Sequence, residues 1–127
     1  MKVIFKRVGQ KAIIQDINTN AGLHKAMRLL IDADLLSVAV RCNDMWPDYD
    51  LVVYCNQLDK MHNDSVISKI NFRRIKDQQA VTGDVVAVKY NNFTLNEEDM
   101  TQDEADAVMV MLDTWATYSQ ALDEAIN

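Results

Sequence analysis

Apolar and β-branched residues dominate two short runs at the start of the chain, 2–8 and 11–17, with Gly9-Gln10 between them. This pattern predicts an N-terminal β-hairpin. Asn18-Thr19-Asn20 then offers capping side chains ahead of Leu23, Met27, Leu30 and Ile31. Those four positions share one face of a helix reaching about Asp32. The run 35–42, LLSVAVRC, predicts a strand, and Asn43–Asp48 around the sole proline, Pro47, predicts a polar loop. Asp50–Asn56 follows as a strand whose LVVYC core reads as buried on both faces. Residues 57–79 are polar and weakly periodic, with room for a short helix near Ser65–Ile70. Thr82-Gly83-Asp84 is a turn signal before the strand VVAVKY, 85–90.

The C-terminal segment carries the clearest helical pattern. Thr101 and Glu104 stand in the spacing of a capping box, in which each side chain satisfies an otherwise unpaired backbone amide. Ala105, Val108, Leu112, Trp115, Ser119, Leu122 and Ile126 recur at spacings of three and four, and Met109, Met111 and Tyr118 widen the apolar stripe. A stripe this wide suits a groove of the same domain, with a second protomer in a homodimer as the alternative cover. These elements predict a single α+β domain over 1–127. It has a hairpin, a helix, and further strands forming one mostly antiparallel sheet. The long acidic C-terminal helix packs on that sheet, and both helices are expected on one sheet face.

The chain has 127 residues, 49% of them hydrophobic and 25% charged, enough for a core without disulfide or metal staples. Two cysteines, Cys42 and Cys55, do not make a disulfide scaffold. The opening MKVIFKRVGQ lacks the apolar stretch of a signal peptide, and no run reaches membrane-span length, so a cytoplasmic location is expected. The net charge of −6 argues against bulk attraction to nucleic acid or membranes. That charge is uneven. Residues 1–90 hold thirteen basic and ten acidic side chains, whereas 91–127 hold nine acidic and no basic ones.

Familiar catalytic motifs are missing. Gly9, Gly22 and Gly83 are too dispersed for a phosphate loop, and no nucleophile elbow, H-E-x-x-H pair or C-x-x-C clip occurs. Cys42, Cys55, His24 and His62 match no zinc-ligand spacing, and cysteines ending apolar strands commonly act as small hydrophobes. Asp44, Asp48 and Asp50 gather carboxylates that could hold magnesium. A nuclease motif would need an acid two residues before Lys89, where Ala87 stands. No metal or cofactor is expected.

Two charged groups remain. Glu97, Glu98, Asp99, Asp103, Glu104 and Asp106 crowd the start of the last helix, where acids meet the positive end of the helix dipole. They form the predicted partner-binding surface. Arg73, Arg74 and Lys76, with Phe72 between them and with Arg41 added, form the alternative, a nucleic-acid-binding patch.

KVIFKRVG at the start, DLVVYCN at 50–56, NFRR at 71–74, TGDVVAVK at 82–89 and FTLNEED at 93–99 resemble a family of small uncharacterised proteins. These are encoded mainly by phages, plasmids and other mobile elements of bacteria. The chain departs from that pattern at Lys60-Met61, where a glycine turn is common, and in a longer acidic C-terminal helix. The resemblance implies action inside a bacterial cell and transfers no catalytic residue. The leading expectation is therefore a non-enzymatic binding protein whose acidic helix engages a nucleic-acid-binding host protein, such as a CRISPR nuclease of a defence system. A nucleic-acid-binding accessory ranks second, and a metal-dependent hydrolase on the Asp44–Asp50 segment third.

Overall fold

The computed structural model describes residues 1–58, 70–73 and 80–126, with side chains described throughout except at 70–73, 80, 82 and 118–126. Strands β1 (Lys2–Lys6), β2 (Ile13–Asp16), β3 (Leu36–Trp46), β4 (Tyr49–Asn56) and β7 (Val85–Asn91) form an antiparallel sheet in the order β2-β1-β7-β4-β3. β8 (Asn96–Glu98) also pairs with β7. β7 is long enough to be shared: Val85–Ala87 pair with β1, and Lys89–Asn91 pair with β8 on the same edge. The Lys2 amide donates to the Asp99 carboxylate at 2.8 Å across that seam. A separate two-stranded sheet comprises β5 (Ile70–Arg73) and β6 (Ala80–Thr82). Two helices lie wholly among the described residues, α1 (Leu23–Leu30) and α2 (Gln102–Ile126).

The α+β reading and the mostly antiparallel sheet hold, with α2 packed on it. The helices, however, do not share a face. Ile4, Leu51, Val53, Val85 and Ala87 join Ala105, Val108 and Leu112 of α2 in one core. Val3, Phe5, Val52, Tyr54, Val86 and Val88 join Met27 and Ile31 in a second, under α1. Successive side chains of a strand point to opposite faces, so the unbroken apolar runs of β1, β4 and β7 require a cover on each side. Three layers are the physical consequence.

Other boundaries also shift. The β1–β2 connection is wider than Gly9-Gln10, spanning 7–12, and it is bonded to α2 at Asp113. The Lys6 ammonium bonds the Gln10 carbonyl and lies 2.9 Å from the Asp113 carboxylate, which also accepts the Ala12 amide. The predicted loop 43–48 is mostly strand. β3 runs on to Trp46, which pairs with Tyr49 around Pro47-Asp48. Pro47 fixes its own φ, and Asp48 has φ 67°, the combination of a type II turn.

α1 is capped at Gly22 with no side-chain bond, since Asn18 instead accepts the Asn20 amide in a turn upstream. Glu97 and Glu98 belong to β8, and α2 begins only at Gln102. There the capping box forms as predicted, with the Glu104 amide on Thr101 Oγ1 at 3.2 Å and the Thr101 amide on Glu104 Oε1 at 2.9 Å. In the α2 stripe Ala105, Val108 and Leu112 are fully buried and Trp115 half-buried. The side chains of Ser119, Leu122 and Ile126 lie outside the described residues, as does 65–69 of the predicted short helix; Ile70 opens β5.

Candidate functional site

Two turns meet at one end of the sheet. The first is the β3–β4 turn at Pro47-Asp48. The second, 92–95, is a single helical turn organised by Asn91. The Asn91 carboxamide oxygen accepts the Phe93 and Thr94 amides at 2.9 and 3.1 Å, and its carbonyl accepts the Leu95 amide at 2.9 Å. The Asn91 Nδ2 group donates to Glu98 at 2.8 Å, which ties the turn to β8. Asn96 follows Leu95 at φ 60°, a left-handed conformation that costs a branched residue about 1–2 kcal/mol. Phe93 and Leu95 are 77% and 67% exposed, so the strained turn holds two large apolar side chains in water.

The two turns are bonded to each other. The Asn92 amide donates to the Asp48 carbonyl at 3.2 Å, and Asn92 Nδ2 donates to Asp50 Oδ1 at 2.9 Å. Arg41 Nε donates to the other Asp50 oxygen, and its guanidinium stacks 4.9 Å above the Tyr90 ring. Hydrogen bonds from Asn92 and Arg41 hold the Asp50 carboxyl below the usual carboxylate range, against the opposing effect of burial. Between the turns opens a cleft of about 440 Å³ lined by Asn43, Trp46, Pro47, Asp48, Asp50 and Phe93. On the α2 side, the Lys89 ammonium lies 4.2 Å from the Tyr49 ring centroid and 5.6 Å from that of Trp46. It bonds Glu104 at 2.8 Å, joining the start of α2 to the same end of the sheet.

The six predicted acids divide sharply. Glu97 faces α1, 3.2 Å from His24 Nε2, beside Tyr54. Glu98 accepts from Asn91, and Asp99 from the Lys2 amide. Burial disfavours the ionised form of Glu104, but hydrogen bonds from Lys89 and Thr101 and the Lys89 charge outweigh it and hold the carboxyl below its ordinary range. Asp103 and Asp106 remain exposed, and among the described residues neither pairs with a cation; Asp106 accepts only from Gln102 at 2.9 Å. Asp44 and Asp48 are likewise exposed and lack a cation among the described residues.

The alternative basic patch is not brought together among the described residues. Arg41 is committed to Asp50, Arg73 sits on β5 with its side chain outside the description, and Arg74 and Lys76 lie outside it altogether. Cys42 and Cys55 are buried in the α2-side core and form no disulfide, His24 bonds Glu97, and His62 lies outside the described residues. Among the described residues no three His, Cys, Asp or Glu side chains converge as metal ligands. Asp44, Asp48 and Asp50 part company: the first two face water and the third is enclosed by Arg41 and Asn92.

Sequence reasoning missed Trp46, Phe93 and Leu95. A usable signal existed in the aromatic residues flanking Pro47-Asp48 and in Asn91-Asn92 ahead of apolar positions that continue neither strand nor helix periodicity. Comparison with protein-family models, curated proteins and solved structures finds no match to this chain.

Proposed function

We propose that the chain is a non-enzymatic binding protein that presents its turn end to a basic surface of a protein partner. The observation that carries this reading is the set of exposed carboxylates there, Asp44, Asp48, Asp103 and Asp106. They stand without cations among the described residues, and Asp48 lines a cleft with Trp46 and Phe93 on its walls. An arginine or lysine of the partner would exchange water for carboxylates and a ring face, contacts favoured by charge and by cation–π attraction.

The acids that the fold itself uses, Glu97, Glu98, Asp99 and Glu104, act as supports in this reading. They set the β8 and α2 geometry that aims the free ones. A groove evolved to bind phosphates accepts well-spaced carboxylates. With the resemblance to phage and mobile-element proteins, this makes a nucleic-acid-binding host protein, such as a CRISPR nuclease, the partner class we favour.

The test is affinity purification from bacterial lysate by the wild type and by Asp103→Lys/Asp106→Lys, which leaves the Lys89–Glu104 pair untouched. The expected result is a nucleic-acid-binding protein retained by the wild type and lost by the variant. Identical retention by both would refute the role of α2. Direct binding of the wild type to DNA or RNA in a low-salt gel shift would replace this reading with the accessory-protein one.

A further inference from the structure

On the α1 face, at the opposite end of β1, lies a second concavity of about 280 Å³. Phe5 and Ile13 are cross-strand neighbours in the β1–β2 hairpin and form its floor, and Leu30 from the last turn of α1 forms one wall. Gln15 lines it from the same hairpin. Arg7 and Lys11 stand at the rim where the hairpin connection leaves the strands, both exposed. The Arg7 guanidinium sits 5.2 Å from the Phe5 ring centroid.

The charges here are the reverse of those at the turn end. Among the described residues no carboxylate pairs with Arg7 or Lys11, and none lines the cavity. Of the carboxylates bonded to the hairpin connection, Asp84 accepts from the Val8 amide and Asp113 from Lys6 and the Ala12 amide. Ile13 is 48% exposed although its neighbour Phe5 is buried, so Ile13 gives the floor an apolar surface open to solvent.

We infer that this cavity is a binding site for a small organic anion with a flat apolar body and a single acidic group. The body would cover Ile13 and Leu30 above the buried Phe5, and the acid would meet Arg7 and Lys11, with Gln15 and Gln10 able to hydrogen-bond its edge. The apolar floor selects against bare inorganic anions, and the two cations select against neutral hydrocarbons. The volume suits a ligand of roughly ten to fifteen heavy atoms, at the lower end of small-molecule pockets. The inference is independent of the protein-binding reading, since it uses the other end of the strands.

The test is an amide NMR titration of the full chain with 1-naphthoate, with sodium phosphate and 1-naphthalenemethanol as the anion-only and body-only probes. Naphthoate is expected to give saturable shifts at Arg7, Lys11, Ile13 and Leu30. The Kd should rise roughly tenfold or more in Arg7→Gln/Lys11→Gln, the loss expected for charge-assisted contacts. Ile13→Ser should weaken binding roughly threefold to tenfold through lost apolar contact. All three substituted side chains are exposed, so the variants keep the fold. Phosphate and the alcohol should each bind more weakly than naphthoate. Unchanged affinity in the double variant, phosphate binding as tight as naphthoate, or shifts without saturation would each overturn the inference.

Discussion

The two ends of the strands are built on the same device and carry opposite surplus charge. At the turn end Lys89 of β7 bonds Glu104 of α2, and at the hairpin end Lys6 of β1 bonds Asp113 of α2. In both, a lysine of the sheet meets a carboxylate of the helix, so α2 is pinned at two points one face apart from α1. What is left over differs. Among the described residues, the turn end has Asp44, Asp48, Asp103 and Asp106 without cations, and the hairpin end has Arg7 and Lys11 without carboxylates. Charge pairing inside the fold therefore converts an imbalance along the chain into an imbalance along the strands. The acids counted in the C-terminal segment are partly structural cement, and the binding surface is recruited from β3 and its turn as well.

The sharpest way to separate the two pins is to remove them one at a time. Lys6 is the more deeply buried lysine, 6% exposed against 12% for Lys89, and it also holds the hairpin connection through Gln10. Lys6→Ala should cost roughly 2–4 kcal/mol and Lys89→Ala roughly 1–3 kcal/mol, because each leaves a carboxylate without its partner. Urea denaturation of both variants checks the order, and a larger loss for Lys89→Ala would reverse the ranking of the two ends.

Acid should weaken the turn end. Asp50 and Glu104 are held below the usual carboxylate range in the fold, so the stability they contribute is fully present above about pH 4, their unfolded range, and disappears as pH falls through their folded values. Asp50→Asn/Glu104→Gln should flatten the fall of stability as pH drops below about 4. A slope unchanged from the wild type would show that the acid sensitivity resides elsewhere. The smallest effect concerns the strained turn. Leu95→Gly should be close to neutral or stabilising by up to about 1 kcal/mol, since glycine adopts its backbone conformation without steric cost. Thermal melts read this directly. A clear drop in stability would mean that the leucine side chain, although 67% exposed, packs to advantage.

Much of the architecture was legible from local pattern. The capping box at Thr101 and Glu104, the buried run of Ala105, Val108 and Leu112, and the α1 face through Met27 all obey periodicities that neighbouring residues alone determine. The two-faced apolar strands LVVYC and VVAVKY already implied cover on both sides, so the three layers were within reach of the same pattern. The candidate site was far less legible. Whether an acid is free depends on register: Asp50 meets Arg41 and Asn92 only once β3, β4 and the 92–95 turn align, and Glu98 meets Asn91 only because β8 folds back on β7. β8 itself is three residues of Asn-Glu-Glu, a composition with no strand preference, formed because the edge of β7 beyond β1 was open. Tertiary pairing, which composition does not encode, decided which carboxylates face solvent.

The most direct test of the turn end as a surface for basic partners is an NMR titration with a nine-residue arginine-rich peptide at low and moderate salt. The predicted result is saturable shifts confined to 43–50, 92–96 and 102–107. Affinity should fall roughly tenfold or more when Asp44, Asp48, Asp103 and Asp106 are all changed to asparagine. Shifts spread evenly over exposed acids such as Asp32 and Asp34, or equal affinity in the fourfold variant, would contradict it.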